Sequence, residues 1–400
     1  MSRKDSKGRV LKTGESERED GRYMYRFTNC GKRIAIYADT LPELRKQERQ
    51  IQSDLYDGIK VKQKSEQVTL NELFEIVMKT KKTSLTTKNN QVAMWNYHIR
   101  DKLGKQKVTD VKPSTIKLFY AELDKKGYSR SVIKLLHILL KQCFDLAFDD
   151  DLIRKNPTVR CLGDNGKPPR ERNALSVKQQ NDLLQFVADS KVYYKHLPMI
   201  QVMLMTACRC GELIGLTWHD IDFKKNTIKI DHQLVYAKVG KTYEFHIAPP
   251  KTSAGIRTLP LTPDLKEAFE KQKLLNFVNH IPRTFQIEDH KDFIFLSKSG
   301  NPLLPSAVNN ILYRLVRSYN KQERERAEEE ERDPEYMPNI SAHLLRHTAC
   351  TRFAESGMDI KVLQYVMGHA HADITMNLYT HLTEREMIER AFVNLKCKVN

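Results

Sequence analysis

The sequence predicts a multidomain chain that is mainly α-helical with small β-sheets: an α+β module first, an all-α module second, and a larger mixed α/β domain last. Three observations carry this. The chain has 400 residues, more than a single hydrophobic core ordinarily serves, so two or three domains are expected. Period-two alternation is confined to residues 22–37 and 227–261, while apolar side chains recur at three- and four-residue spacing almost everywhere else. Residues 156–176, NPTVRCLGDNGKPPRERNALS, have three prolines, two glycines and no periodicity, which reads as a linker. The expected divisions are 1–64, 65–160, a linker at 161–175, 176–381, and a closing segment at 382–400.

In the first module RYMYRF (22–27) and KRIAIY (32–37) alternate around a turn at Asn29, Cys30 and Gly31, the pattern of a hairpin. A helix follows, because Thr40 with Glu43 forms a capping box, Leu44, Ile51 and Leu55 form an apolar stripe, and Gly58 offers a stop. Arg22, Arg26, Lys32 and Arg33 stand on or beside these strands. They suit a ribbon laid in a DNA major groove, and equally a solvated small sheet.

Residues 65–160 read as four helices. Thr69 with Glu72 caps the first, which carries Leu73, Phe74, Val77 and Met78; Trp95, Tyr97 and Ile99 line the second, ending near Gly104. Pro113 opens the third, with Ile116, Phe119 and Tyr120, and Gly127 stops it. The fourth starts at Ser129 and is the most apolar, with Val132, Leu135, Leu136, Leu139, Cys143, Leu146 and Ala147 on one stripe. Beyond the linker, helical patterns at 177–188 and 197–216 precede strands at 227–232, 243–248 and 256–261, and the rest is mostly helical. The tract KQERERAEEEERDPE (321–335) reads as a solvated excursion.

Lys plus Arg number 67 against 50 Asp plus Glu, a formal charge of +17. Residues 1–64 have 16 basic and 10 acidic side chains, 65–160 have 18 and 11, and 161–400 have 33 and 29. The excess therefore sits in the first 160 residues, which suggests a polyanionic partner gripped by separate basic modules. No run approaches the ~18 apolar residues of a membrane span. The N-terminus has no signal-like apolar stretch, so a cytoplasmic protein without a membrane partner is expected. Seven cysteines without a C-x-x-C pair argue against disulfides and a zinc ribbon. Cys208 and Cys210 flank Arg209, but a lone C-x-C is a poor zinc set, and packing beside a helix start explains it.

Three strings carry chemistry together. TACRCGELIGLTWHDI (206–221) places Arg209 near a helix start with Glu212 one turn later; HLLRHT (343–348) puts His343 and Arg346 on one helical face; VMGHAHADITMNLYTH (366–381) has His369 ten residues before Tyr379. This ordered set resembles the catalytic region of the tyrosine recombinases, the phage integrase family. The resemblance extends over roughly residues 65–390 in layout. It maps the family's catalytic residues onto Arg209, Lys251, His343, Arg346, His369 and Tyr379, with Lys238 and Lys241 as the alternatives to Lys251. Ala207 departs from the glycine of many members, and would be strained if the turn there needs a positive φ.

The chemistry of the residues agrees. Guanidinium forks on Arg209 and Arg346 match the non-bridging oxygens of a phosphodiester under attack. Tyr379 can attack and store the bond as a phosphotyrosyl link, with His343 as proton acceptor. Lys251 can protonate the leaving 5′ oxygen, and His369 can donate to the same phosphate. The scheme uses no cofactor, metal or ATP, and no GxxxxGKS or GxxxxGKT string is present. Glu212, Trp218 and Asp220 read as structural, and His347, His371 and His381 as packing or capping residues.

The N-terminal stretch GRVLKTGESEREDGRYMYRF looks like the arm-binding domain of conjugative-transposon integrases. The resemblance implies an arm-binding domain, a core-binding domain and a catalytic domain. It further implies a homotetramer that integrates and excises a mobile element through a Holliday junction, acting on double-stranded element ends, a circular intermediate and a target site. An excisionase or DNA-bending protein would assist. Leu382, Met387, Ile388, Phe392 and Leu395 would form a tail helix, docking in cis or on a neighbouring protomer. The competing readings are a non-catalytic DNA-binding regulator of the same fold, a type IB topoisomerase, and a metal-dependent nuclease.

Overall fold

The computed structural model describes residues 3–29, 32–56, 68–168 and 173–370. The chain falls into two compact units, Met1–Arg170 and Glu171–Asn400. The N-terminal sheet is antiparallel in the order β1 (Glu15–Glu17), β2 (Tyr23–Asn29), β3 (Lys32–Ala38), and α1 (Leu41–Tyr56) follows it. Tyr25 pairs with Ile36 and Tyr23 with Ala38, so one face of the hairpin presents Tyr23, Tyr25 and Ala38 to Leu41 and Leu44 of the helix. The strand β1 was not expected, since its sequence lacks alternation. Polar bonds hold it instead: buried Glu15 takes Arg45 of α1 at 2.9 Å, and Glu17 takes the Ser6 hydroxyl at 2.7 Å. Gly58 lies outside the described residues.

Four helices follow: α2 (Leu70–Thr80), α3 (Leu85–His98), α4 (Pro113–Lys125) and α5 (Arg130–Asp149). The Thr69–Glu72 capping box is formed in full, and the Ser129 side chain caps α5. Trp95 stacks on Phe74 with ring centroids 4.0 Å apart and donates Nε1–H to Asn71 at 2.9 Å. Tyr97, expected beside it, is 78% exposed, because two residues along a helix turn a side chain to the far face. Ile133, Leu140 and Phe144 join the expected α5 stripe in the core.

The expected linker is anchored over much of its length. Cys161 is buried in the helical core, and Lys167 exchanges backbone hydrogen bonds with Tyr128 and Arg130. At the other end Leu175 is buried in the second unit and donates its N–H to the Thr348 hydroxyl at 3.1 Å.

The second unit packs α6 (Val177–Asp189), α7 (Leu197–Thr206), α8 (Cys210–Gly215), α9 (Pro263–Val278), α10 (Pro305–Glu329), α11 (Ala342–Glu355) and α12 (Ile360–Met367) around a small sheet. The sheet has the order β4 (Ile221–Asp222), β5 (Thr227–Ile230), β8 (Arg257–Pro260), all antiparallel. Between β5 and β8 the chain makes a separate hairpin, β6 (Gln233–Val239) with β7 (Thr242–Ala248). A short ribbon, β9 (Gln286–Ile287) with β10 (His290–Lys291), completes the strands among the described residues.

Two expectations need correction. The helical pattern at 197–216 is broken after Thr206 into α7 and α8. The acidic tract is no free excursion: α10 runs through to Glu329, and Glu323, 6% exposed, binds Arg332 at 2.6 Å and the Glu335 N–H at 2.9 Å. A carboxylate at a core-facing position folds the chain back on its own helix. No described helix is long and apolar enough to cross a membrane.

Candidate active site

The break between α7 and α8 is what presents Arg209. Ala207 closes α7 in the left-handed region at φ +49°, ψ +27°, fully buried, and Arg209 then stands at the N-cap of α8. Its backbone N–H donates to Glu212 at 3.0 Å, its Nη1 to the same carboxylate at 2.7 Å, and its Nη2 to the Gly368 carbonyl at 2.8 Å. Alanine at positive φ is strained by contact of its Cβ with the backbone, and glycine is not. Ala207→Gly is therefore expected to stabilise the fold by about 1 kcal/mol after the glycine's greater unfolded freedom is subtracted, read as a rise in the urea midpoint. An unchanged or lower midpoint would show that the turn holds no strain.

Arg346 reaches the same place from α11. It is 4% exposed, donates to the carbonyls of Ala207 and Met367, and lies 3.1 Å from His369 Nε2. A guanidinium can only donate, so Nε2 of His369 accepts and the ring in this arrangement is the neutral one whose N–H is at Nδ1. Burial first, then Arg346 and Arg209, hold His369 down to about 4. Burial and the neighbouring Arg209 and Arg257 pull Arg346 down to about 10, which leaves it charged at neutral pH.

His196, also pulled down to about 4 by burial, behaves like His369. An unfolded imidazole takes its proton near ~6.5, so between there and about 4 the unfolded chain binds protons that the native chain does not. The stability these neutral rings contribute is complete above the upper value and falls as pH drops through that window. A urea midpoint lower at about pH 5 than at about pH 7 is expected, and a flat profile would contradict it.

Glu212 is the carboxylate of the cluster. It is 1% exposed and also takes Arg257 Nη2 at 2.9 Å. Burial pushes it up, but Arg257 and Arg209 outweigh that and hold it below the usual carboxylate range. Two guanidiniums therefore share one carboxylate while a third, Arg346, is held by the neutral carbonyls of Ala207 and Met367. Arg257 escaped the sequence reading. Its signal was parity: Arg257 and Leu259 share the inward face of β8, so an apolar Leu259 implied an inward arginine.

Gly368 ties the parts together. It ends α12 at φ +61°, and a Cβ there would lie 3.1 Å from Arg257 Nη1, 3.1 Å from Gly255 Cα and 3.2 Å from the Ala254 carbonyl. A Cβ on Gly255 would in turn meet Pro250 at 2.4 Å. The loop that carries exposed Lys251 is thus folded against the turn that receives Arg209. Lys241 sits at the tip of the β6–β7 hairpin and Lys238 on β6, both exposed. His343 is exposed in the first turn of α11, whose cap is Ser341.

Tyr379, His371, His381 and the 382–400 segment lie outside the described residues. Tyr365 is engaged elsewhere, its hydroxyl accepting the Thr258 N–H at 3.0 Å. In the first unit Arg26 and Arg33 are exposed on the sheet face away from α1, whereas Arg22 is bound to Asp20 at 2.7 Å. Lys32 pairs with Asn29 through the backbone, and its side chain is outside the described set. Burial pushes the Cys208 and Cys210 thiols up to about 11, far from the thiolate a metal takes. Asp220, Asp231 and His232 have metal-like spacing, and His232 is already engaged on both sides, its Nε2 2.8 Å from the Gly215 carbonyl and its Nδ1 2.7 Å from Asp231 Oδ1.

Residues 173–386, the stretch that contains this cluster, match the model of the phage integrase family. The chain belongs to that family. It is a tyrosine-type site-specific DNA recombinase, and residues 1–55 match a second model, the DNA binding domain of Tn916 integrase. The recombinase is 34% identical over 400 residues to the transposase from transposon Tn1545 of Streptococcus pneumoniae, covering 95% of this chain and 94% of that one. It is 33% identical to the transposase from transposon Tn916 of Enterococcus faecalis, with the same coverage. Among solved structures, the Tn1549 transposon integrase in complex with transposon right end DNA superposes with a TM-score of 0.70 at 30% identity, over 81% of this chain and 98% of that one. A second structure of that integrase holds a circular intermediate DNA.

Proposed function

We propose that this recombinase integrates and excises a mobile element of the conjugative-transposon kind, acting on double-stranded element ends, a circular intermediate and a target site. The observation that carries the reading is the convergence of Arg209, Arg346 and His369 on the Gly368 turn, with the Lys251 loop folded against it. Arg209 and Arg346 are oriented by backbone carbonyls, and each has N–H groups to spare for a phosphate. The Tyr379 oxygen attacks phosphorus and the bond to the 5′ oxygen breaks. His343 takes the phenol proton, Lys251 supplies a proton to the leaving oxygen, and a 3′-phosphotyrosyl link results. Attack by a 5′ hydroxyl of the partner duplex reverses the step, so the bond is conserved without ATP or metal.

Two cationic surfaces support a duplex as the partner. Arg26 and Arg33 share the open face of the N-terminal sheet, which suits an arm-binding domain at 1–64 beside a core-binding domain at 65–160 and a catalytic domain at 176–381. On α10 a cavity of about 600 Å³ is lined by Arg314, Arg317, Lys321 and Arg324 with Tyr193 and Tyr336, the last two cations also standing 3.7 Å from Glu325 and Glu328. Strand exchange through a Holliday junction calls for a homotetramer in the cytoplasm, with an excisionase or DNA-bending protein setting direction.

The test is incubation of the full chain, in EDTA, with nicked duplexes built from the sequences that flank its own gene, followed by a search for a denaturant-resistant protein–DNA adduct. An adduct at the element ends supports the proposal. Tight binding to the same duplexes with no adduct would sink it in favour of a regulator, and adduct-free cutting that EDTA abolishes would point to a metal-dependent nuclease.

A further inference from the structure

Arg257 has no assigned part in the chemistry, yet it bonds to two supports of the cluster and lies beside a third. It opens β8 with its side chain fully buried. Nη2 donates to Glu212 at 2.9 Å, and Nη1 donates to the Gly255 carbonyl at 2.9 Å. The same Nη1 lies where a Cβ on Gly368 would come within 3.1 Å. One guanidinium therefore holds the carboxylate that orients Arg209 and the loop that carries Lys251, and it lies beside the turn whose carbonyl receives Arg209 and whose next residue is His369.

A core ion pair chosen for stability alone would have no reason to sit here. Burying two charges recovers little or no net stability over an apolar pair of the same volume, and a methionine would fill a strand position more simply. What a planar fork does, and an apolar side chain or a single ammonium does not, is hold two acceptors at once in fixed geometry. Glu212 needs such a brace. With only Arg209 to face, it is free to draw that guanidinium off the Gly368 carbonyl and neutralise it, and the phosphate would then meet a weaker, displaced clamp.

We propose that Arg257 is a positioning residue for DNA cleavage: it never touches the phosphate, but by fixing Glu212 and the Gly255 turn it sets the direction of the Arg209 guanidinium. The inference rests on the reading of Arg209 as part of the phosphate clamp. A misplacement of about 1 Å at a reacting centre costs on the order of 100-fold in rate, and that is the effect expected here.

The experiment is single-turnover adduct formation by the full chain on the nicked element-end duplex, with DNA affinity and thermal unfolding followed in parallel. Arg257→Met is expected to slow adduct formation about 100-fold while duplex affinity stays within about twofold, and Arg257→Lys to recover part of the rate. The decisive reading is a double-mutant cycle with Arg209→Lys. If Arg257 acts through Arg209, Arg257→Met adds almost nothing once Arg209 is lysine, whereas a loss of general structural integrity multiplies through. A normal rate in folded Arg257→Met, or full multiplication in the double variant, overturns the proposal. Should Arg257→Met fail to fold, Arg257→Lys carries the same cycle. Full activity in Arg209→Lys alone would instead overturn the clamp reading itself.

Discussion

Tyr379→Phe is expected to bind element-end duplexes as tightly as the wild type and to form no covalent adduct, a loss on the order of 10⁴-fold or more in cleavage. The substitution removes one oxygen and leaves the ring, so recognition and packing are preserved while the nucleophile is gone. The size of the loss follows from the rest of the proposed machinery being idle without it. Guanidiniums that stabilise charge on phosphorus have nothing to stabilise until an oxygen attacks. The residual rate would be that of water at a site arranged for a phenol. Gel mobility on the intact duplex and a denaturing gel on the nicked one measure the two properties separately. An adduct that persisted would move the nucleophile elsewhere, and Tyr365 would be the next tyrosine to replace, although its hydroxyl is already bonded to the Thr258 backbone.

The second large effect belongs to Arg346→Lys, which is expected to lower stability and cleavage together. The arginine is 4% exposed and serves the Ala207 carbonyl, the Met367 carbonyl and His369 Nε2. A lysine ammonium is a point on a flexible stem and cannot span those acceptors, so at least one carbonyl is left buried and unpaired at a cost of about 1–3 kcal/mol. Loss of a preorganised donor to a developing oxyanion adds about 100- to 1000-fold in rate. The urea midpoint and the single-turnover adduct rate report the two parts. A lysine variant as stable and as fast as the wild type would mean that the buried fork serves neither purpose.

Much of this was legible in the sequence wherever local chemistry decides local structure. Thr69 with Glu72, Ser129 before an apolar stripe, and Pro113 at a first turn are signals read and satisfied within four residues, and the helices begin where they say. The ordered set of Arg209, His343 and Arg346 stood out through its resemblance to a known family, and the fold brings Arg209 and Arg346 to one turn. What sequence hid was decided by tertiary contact. Only the family resemblance marked a turn at Ala207, since alanine by itself is a strong helix former; the buried Arg346 beneath its carbonyl goes with the turn. Glu323 reads as one more charge in an acidic run, and only its position on the core-facing side of α10 converts it into a staple. The first strand lacks alternation because hydrogen bonds to Glu15 and Glu17, rather than apolar burial, hold it in place.

The bonds that close the clamp have a bearing on when, during the life of each molecule, DNA can be cut. Arg346 meets Ala207 across 139 residues of sequence, and Arg209 meets Gly368 across 159. The basic modules lie at the other end of the chain, within the first 160 residues. On the ribosome, then, the basic modules emerge first, and Arg346 and Gly368 emerge nearly last. A product that ended before the helix at 342–355 would keep the basic first 160 residues and lack both Arg346 and the Gly368 turn, so under the proposed mechanism its clamp could not close.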